Sequence, residues 1–352
     1  MSVYNGRKIN VEIFGESHSE NIGVKVKGFP KLKIDQEQLA NFLQRRKAKI
    51  GVYSTSRIEP DQPIFTNVEN DEINGEFTAV IKNINTKSGD YNNLIGKPRP
   101  SHADYAWYLK DNVTEFTGGG RFSGRLTAPL CIAGGIAKQY LESLGIKVYA
   151  YIRSIKDVTG KSYKTDNIDI TEIENLILSG EFPTLLNKDQ MIQEIQDAKE
   201  DKDSVGGVIE CIVFGMKPAV GDNLFEGLEG RIANLVYSIP AVKGVEFGDG
   251  FELTKKRGSI ANDPIEIKDG KIKLVKNSSG GINGGISNGE NITLSVAFRP
   301  TPSISKPQRT VDLKLNENTT IEIKGRHDAC ILPRAVPCVE SAVALAILDE
   351  IL

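Results

Sequence analysis

The stretch LTAPLCIAGGIAKQYLESL, residues 126–144, is apolar on most of the faces a helix would present. A helix with so little polar surface is a buried one. Gly134-Gly135 in its middle predicts that it packs close to a neighbour. Its longest apolar run, near 128–137, is well short of the roughly 20 residues that span a bilayer. The same is true of the run at 342–348 near the end of the chain.

Working outward, segments 8–14, 22–27, 76–84, 146–152, 205–214, 291–298 and 319–323 read as strands. Asp35 caps a helix whose apolar positions Leu39, Phe42 and Leu43 follow helical spacing. Further helices are expected over 101–113, with Ser101 as a possible N-cap, and over 169–178, 188–199, 224–237 and 336–352. Residues 265–267 and 272–274 flank Asp269-Gly270, a hairpin signal. The polar stretch 156–172 reads as a surface excursion. There is no regular βαβ period, internal repeat or Pro- or Ser-rich linker, and no GxGxxG follows a strand at the right place. One α+β domain over 1–352 is therefore expected rather than a doubly wound parallel sheet.

With 352 residues, 39% hydrophobic and 26% charged, the chain fits a globular protein with a large core. A net charge of −2 offers no field for nucleic acid or an anionic membrane. The N-terminus lacks an apolar signal core. Cys131, Cys211, Cys330 and Cys338 show no CxxC spacing, so neither zinc nor a disulfide framework is expected. Buried free thiols in a reducing cytoplasm are the simpler reading.

The chemistry is concentrated in a few polar segments. All three histidines lie in short motifs: Gly15-Glu16-Ser17-His18, Arg99-Pro100-Ser101-His102-Ala103-Asp104 and Gly325-Arg326-His327-Asp328. Histidine titrates nearest physiological pH, and beside Arg and carboxylates it suits proton transfer at an anion. In the last motif a structural ion pair is the alternative. Arg45-Arg46-Lys47-Ala48-Lys49, with Arg57 beyond, is either a solvated helix end or an anion clamp. Residues 118–125, GGGRFSGR, lead glycine N–H groups and two Arg into the buried helix, which favours an anion. Residues 278–289 are glycine-rich but interrupted by Ile282 and Ile286, so the backbone could approach a flat or phosphorylated ligand. The loop from Arg299 to Gln308 combines three prolines with hydroxyls and cations, a rigid polar loop of functional type.

Taken in order from residue 14 to residue 337, these segments resemble chorismate synthase. Besides the three histidine motifs, the match includes Arg45-Arg46, Arg57 with Glu59-Pro60-Asp61, the 118–125 loop, 203–207, 241–246, 280–289, 299–303 and Arg334-Ala335-Val336-Pro337. The resemblance implies a sandwich of helices between antiparallel sheets, assembled as a homotetramer. It implies an anti-1,4-elimination that turns 5-enolpyruvylshikimate 3-phosphate into chorismate and phosphate, the last step of the shikimate pathway. Reduced FMN is required although there is no net redox change. No metal is implied.

By the resemblance, His18 donates a proton near the leaving phosphate and His102 protonates reduced flavin. Asp328 works with the flavin in removing the C6 proton, and Ser17 and Ser123 relay protons. His327 is left as a structural neighbour. Arg45, Arg46, Arg121 and Arg326 are the expected substrate cations. Flavin contacts carry over to Arg121, Phe122, Ser123, Pro240, Ala241, Gly284, Arg299, Pro300, Thr301, Pro302, Ser303 and Arg326. The chain departs from the family pattern at Ser19 and Ser101 (usually Gly), Lys47 (often Arg), Phe122 (often Ser) and Ala329 (often Pro). Val52 stands where an Arg linked to NADPH is common, with Lys49 as a possible substitute. NADPH is expected only indirectly, as a reductant. No insertion of the flavin-reducing type is seen, so reduced FMN would come from a separate flavin reductase or from chemical reduction. Two other classes remain: a flavoprotein oxidoreductase acting on a phosphorylated metabolite, and a non-catalytic flavin- or phosphate-binding protein.

Overall fold

Helix Thr127–Ser143 (α3) occupies the centre of the molecule, as its composition demands. The computed structural model describes residues 1–47, 59–84, 94–116, 118–323 and 327–352. Against α3 lie Gln36–Arg46 (α1) and the long C-terminal helix Leu332–Ile351 (α8). Leu228–Tyr237 (α6) packs on α8. Apart from Arg334, Glu350 and Ile351, every residue of α8 is buried. Such a helix needs cover on all sides.

Two five-stranded antiparallel sheets supply that cover. The first runs in the order Ser2–Asn5 (β1), Asn10–Phe14 (β2), Asn21–Lys33 (β3), Glu72–Lys82 (β5) and Ile64–Phe65 (β4). In β3, Ile22, Val24 and Val26 are buried, and in β5, Phe77, Ala79 and Ile81; this two-residue period turns one face toward α3. The second sheet runs Val158–Thr159 (β7), Lys147–Ile155 (β6), Gly207–Phe214 (β8), Ile292–Phe298 (β14) and Val242–Phe247 (β9). Its β6 and β8 lie against α8, and β9 against α6. The expected sandwich of helices between antiparallel sheets is thus present.

The glycine pair of α3 serves two partners. A Cβ on Gly134 would collide with the backbone and side chain of Ser341 in α8, and one on Gly135 would lie 2.8 Å from Phe42 and 2.9 Å from Leu39 of α1. The layer is also tied by Glu340, wholly buried on α8. It accepts from Arg45 Nη1 at 2.9 Å and Nη2 at 2.7 Å, from Lys138 Nζ at 2.5 Å and from Ala150 N at 3.0 Å. Burial alone would raise its pKa, but Arg45 and Lys138 together hold it below the usual carboxylate range.

Around this frame lie Asp104–Asp111 (α2), Ile170–Ser179 (α4), Lys188–Glu200 (α5), Gly258–Ala261 (α7) and three two-stranded ribbons. The ribbons are Ile265–Lys268 with Lys271–Leu274 (β10, β11), Ile282–Asn283 with Ile286–Ser287 (β12, β13) and Gln308–Asp312 with Glu317–Ile321 (β15, β16). All four cysteines are buried free thiols.

Several sequence expectations need correction. Ser101 is no N-cap: its φ is +58°, whereas a capping residue sits in the β region, and α2 begins at Asp104. The helix expected over 224–237 breaks at Gly227 into a short 3₁₀ turn and α6. The last helix begins at Leu332 rather than 336, because Pro333 falls in its first turn, where a missing N–H costs nothing. Strands β1, β4, β7, β9, β12, β13 and β15 had no reading as strands in the sequence. Residues 156–172 are no mere surface excursion. Ser162 and Ile168 are buried against the outer face of the second sheet, where Glu210 accepts from Tyr151 Oη at 2.9 Å and Ser162 Oγ at 3.0 Å.

Candidate active site

A cavity of about 310 Å³ opens where the helical layer meets the loops above it. His18, after β2, His102, before α2, and His327, before α8, all line it. Chain ends converge here from five directions. They are the C-terminus of α1, segment 59–61, the glycine loop entering α3, the turn from α6 to β9, and the loop leaving β14. The N-terminal turns of α8 close the floor with Ile331, Arg334, Ala335 and Cys338.

The wall is cationic. Arg46, Lys47, Arg99, Arg125, Arg299 and Arg334 outnumber its carboxylates, Glu59, Asp61 and Asp328. Arg46 is 3% exposed, which rules out a solvated helix end. It donates from Nε to Thr127 Oγ1 at 2.9 Å, from Nη1 to Asp61 Oδ2 at 3.0 Å and from Nη2 to the Gly124 carbonyl at 2.9 Å. Asp61, buried and at φ +47°, also accepts from Arg125 Nη1. Arg125 Nε donates to Asn83 Oδ1 at 3.0 Å. Three buried polar atoms on this wall have no partner among the described residues: Arg125 Nη2, Arg299 Nε and Thr301 Oγ1. Buried donors left unmatched are costly, so an anionic or oxygen-rich ligand is the natural complement.

Each histidine is held differently. Ser17 Oγ lies 2.9 Å from His18 Nδ1. Gly118 is at φ +65°, and a Cβ there would strike the His18 ring. His102 Nδ1 donates to Asp104 Oδ1 at 2.6 Å. Burial lowers the His102 pKa, the Asp104 hydrogen bond pulls it up, and Arg99 and Arg299 push it down, so it lies below 6.5. His327 Nε2 approaches the Ile323 carbonyl at 3.4 Å, and burial lowers its pKa as well. Beside it, Arg334 donates from Nη1 to Asp328 Oδ2 at 2.7 Å and from Nε to the Arg46 carbonyl at 3.1 Å. Cys338 Sγ is 3.7 Å from Cys131 Sγ; that contact, with Arg46 and Arg334 nearby, outweighs burial and lowers the Cys338 thiol pKa.

The chorismate synthase family model matches residues 9–352. The chain belongs to the chorismate synthase family. It is 42% identical over 351 residues to the chorismate synthase of Korarchaeum cryptofilum, covering 99% of this chain and 96% of the relative. It is 41% identical over 354 residues to that of Pyrococcus abyssi, covering 99% and 97%. A crystal structure of chorismate synthase superposes with a TM-score of 0.75 at 24% identity, covering 98% of this chain and 92% of that one, which establishes the shared fold.

Of the residues that the chorismate synthase resemblance singled out, His18, His102, Asp328, Arg46, Phe122, Ser123, Pro240, Ala241, Arg299, Thr301, Pro302 and Ser303 line the cavity. Ser17 stands behind His18, 1% exposed. Ser123 Oγ accepts from Arg125 N at 3.2 Å. Arg45 faces Glu340 and borders a separate, smaller hollow. Arg121 is half-buried, donates to Asp111 at 2.8 Å and lies over the rings of Trp107 and Phe122. Gly284 is exposed in the β12–β13 turn, and neither it nor Pro300 is on the described wall. Lys49, Val52, Arg57 and Arg326 lie outside the described residues. Sequence reasoning had Arg125 only as one of two loop arginines favouring an anion, and gave no role to Arg99, Asp61, Thr127 or Arg334. Three of these four stood inside matched segments, and the missing signal was which buried carboxylate each arginine would meet.

Proposed function

We propose that this chain is a reduced-FMN-dependent lyase that converts 5-enolpyruvylshikimate 3-phosphate into chorismate and inorganic phosphate, the last step of the shikimate pathway. The observation that carries this reading is the convergence of His18, His102 and Asp328 on one cavity with a cationic excess and unmatched donors. The cavity suits a flavin beside a phosphorylated acid. Phe122, Ile239, Pro240 and Ile331 offer apolar surface to a flat ring, while Arg299 Nε and Thr301 Oγ1 are donors without partners among the described residues.

In the 1,4-elimination the C3–O bond breaks and phosphate leaves with the electron pair. A proton is lost from C6, and the double bonds rearrange with no net oxidation. Arg125, Arg334 and Lys47 stabilise the growing negative charge on the phosphate, and His18 supplies a proton to it. Asp328, oriented by Arg334, takes part in removing the C6 proton. His102 holds or releases a proton on the flavin side. Reduced FMN, when bound, supplies electron density to the electron-poor allylic centre left as phosphate departs. Burial of the reacting groups strengthens each of these charge interactions.

The same reading extends to a homotetramer in the cytoplasm served by a separate flavin reductase, with NADPH acting only through that reductase. Among the described residues no helix is long and apolar enough to cross a membrane. The test is an anaerobic assay with 5-enolpyruvylshikimate 3-phosphate and chemically reduced FMN, following chorismate absorbance and released phosphate. Equal amounts of both products are expected. Absence of both overturns the reading, and NADPH oxidation matched to product would make the chain an oxidoreductase instead.

A further inference from the structure

Beside His102 stand a guanidinium of the cavity wall, Arg99, and behind it a carboxylate that is not on the wall. Asp104 is the first residue of α2, is 2% exposed and is not part of the cavity wall. Its Oδ2 accepts from Arg99 N at 3.0 Å and Arg99 Nε at 2.7 Å. Its Oδ1 accepts from Arg99 Nη2 at 2.8 Å and faces His102 Nδ1 at 2.6 Å. Arg99 Nη2 also donates to the Gly118 carbonyl at 2.6 Å.

The positions of the protons follow from counting donors. Burial would raise the Asp104 pKa, but the hydrogen bonds from Arg99 and His102 outweigh it and hold it at about 2. A carboxylate in that state only accepts, so the proton in the 2.6 Å contact sits on His102 Nδ1. Both protons of Arg99 Nη2 are engaged, by Asp104 Oδ1 and the Gly118 carbonyl. Its 3.1 Å approach to His102 Nδ1 is therefore a meeting of two donors and no hydrogen bond. No described residue bonds the other ring nitrogen, Nε2.

We infer that Asp104, clamped by Arg99, is a positioning residue that fixes His102 in its Nδ1–H form and presents Nε2 to the cavity. When Nε2 takes up a proton, the ionised Asp104 compensates the new charge, as carboxylates do behind catalytic imidazoles. Arg99 keeps the carboxylate from turning away and, through Gly118, joins this assembly to the wall beside His18.

The size of any effect on turnover rests on the reaction proposed above; the tautomer does not. The chain has three histidines, so ¹⁵N imidazole spectra can be assigned by substituting each in turn. At pH 8 the wild-type His102 is expected to carry its proton on Nδ1 alone. Asp104→Asn, which can offer an amide N–H to Nδ1, is expected to move that proton to Nε2. It should lower kcat about 100-fold with KM within about threefold, in a protein of unchanged circular dichroism. A wild-type Nε2–H form overturns the positioning role even if chorismate is produced. Unchanged tautomer and kcat in Asp104→Asn overturn it too. An Nδ1–H form in an enzyme that makes no chorismate supports the role and overturns the reaction.

Discussion

At the residue scale, the cavity depends on carboxylates that hold its arginines in place. Asp61 is the counter-charge for both Arg46 and Arg125, and all three are buried. Replacing it by Asn leaves two guanidinium groups facing each other with no anion between them. Removing one partner of a buried pair costs about 3–5 kcal/mol. Asp61→Asn is therefore expected to lower the urea midpoint and to raise KM for the phosphorylated substrate about tenfold, with a smaller change in kcat. An unchanged KM would remove Asp61 from substrate positioning. The histidines were legible in the sequence because each stood beside an Arg or an acid in a short motif. The function of Asp61 was not, because its two arginines lie 15 and 64 residues away and only the fold brings them to one carboxylate.

At the element scale, the reading of α3 as a buried, closely packed helix was correct, and its glycine pair can be dissected. A Cβ at Gly134 meets the Cα and Cβ of Ser341, which belong to a helix fixed along its whole length. A Cβ at Gly135 meets the ends of Phe42 and Leu39 side chains, which can turn aside. Gly134→Ala is thus expected to destabilise by about 3 kcal/mol, the upper range for overpacking, and Gly135→Ala by about 1 kcal/mol or less. Urea unfolding of the two variants checks this, and equal losses would mean that α3 and α8 can slide apart. Other elements escaped the sequence for definable reasons. Strand β9 has Gly244 near its centre and, after buried Val242, only partly or fully exposed residues, so it shows no two-residue period; it exists because β14 pairs with it. The start of α8 was hidden by two prolines: Pro333 in the first turn, where it is tolerated, and Pro337 inside the helix, where a proline ordinarily signals a boundary.

At the scale of the whole molecule, α+β character could be read from local pattern. The layering came only with the family resemblance, since each sheet is closed by pairings distant in sequence, such as β14 with β8. The assembled cavity has a property that no single segment shows: a positive wall inside a chain of net charge −2. Protonating a histidine there adds like charge to like, and both His102 and His327 have folded pKa values below 6.5. Between the folded and unfolded values, the unfolded chain binds protons that the native chain refuses. The stabilisation is complete above pH 6.5 and declines as pH falls through that value toward the folded pKa. Asp104, held at about 2, loses its contribution only below about pH 4, so it does not confuse the window. The melting temperature is expected to fall between pH 7.5 and pH 5.5, and His102→Gln with His327→Gln should flatten the fall. An anion that binds the native wall opposes it: inorganic phosphate at 100 times its Kd adds about 2.7 kcal/mol. Scanning calorimetry at both pH values, with and without phosphate, distinguishes the outcomes. A melting temperature that stays level or rises as the pH is lowered would show that the cavity accommodates protonated histidines, against the charge balance of its wall.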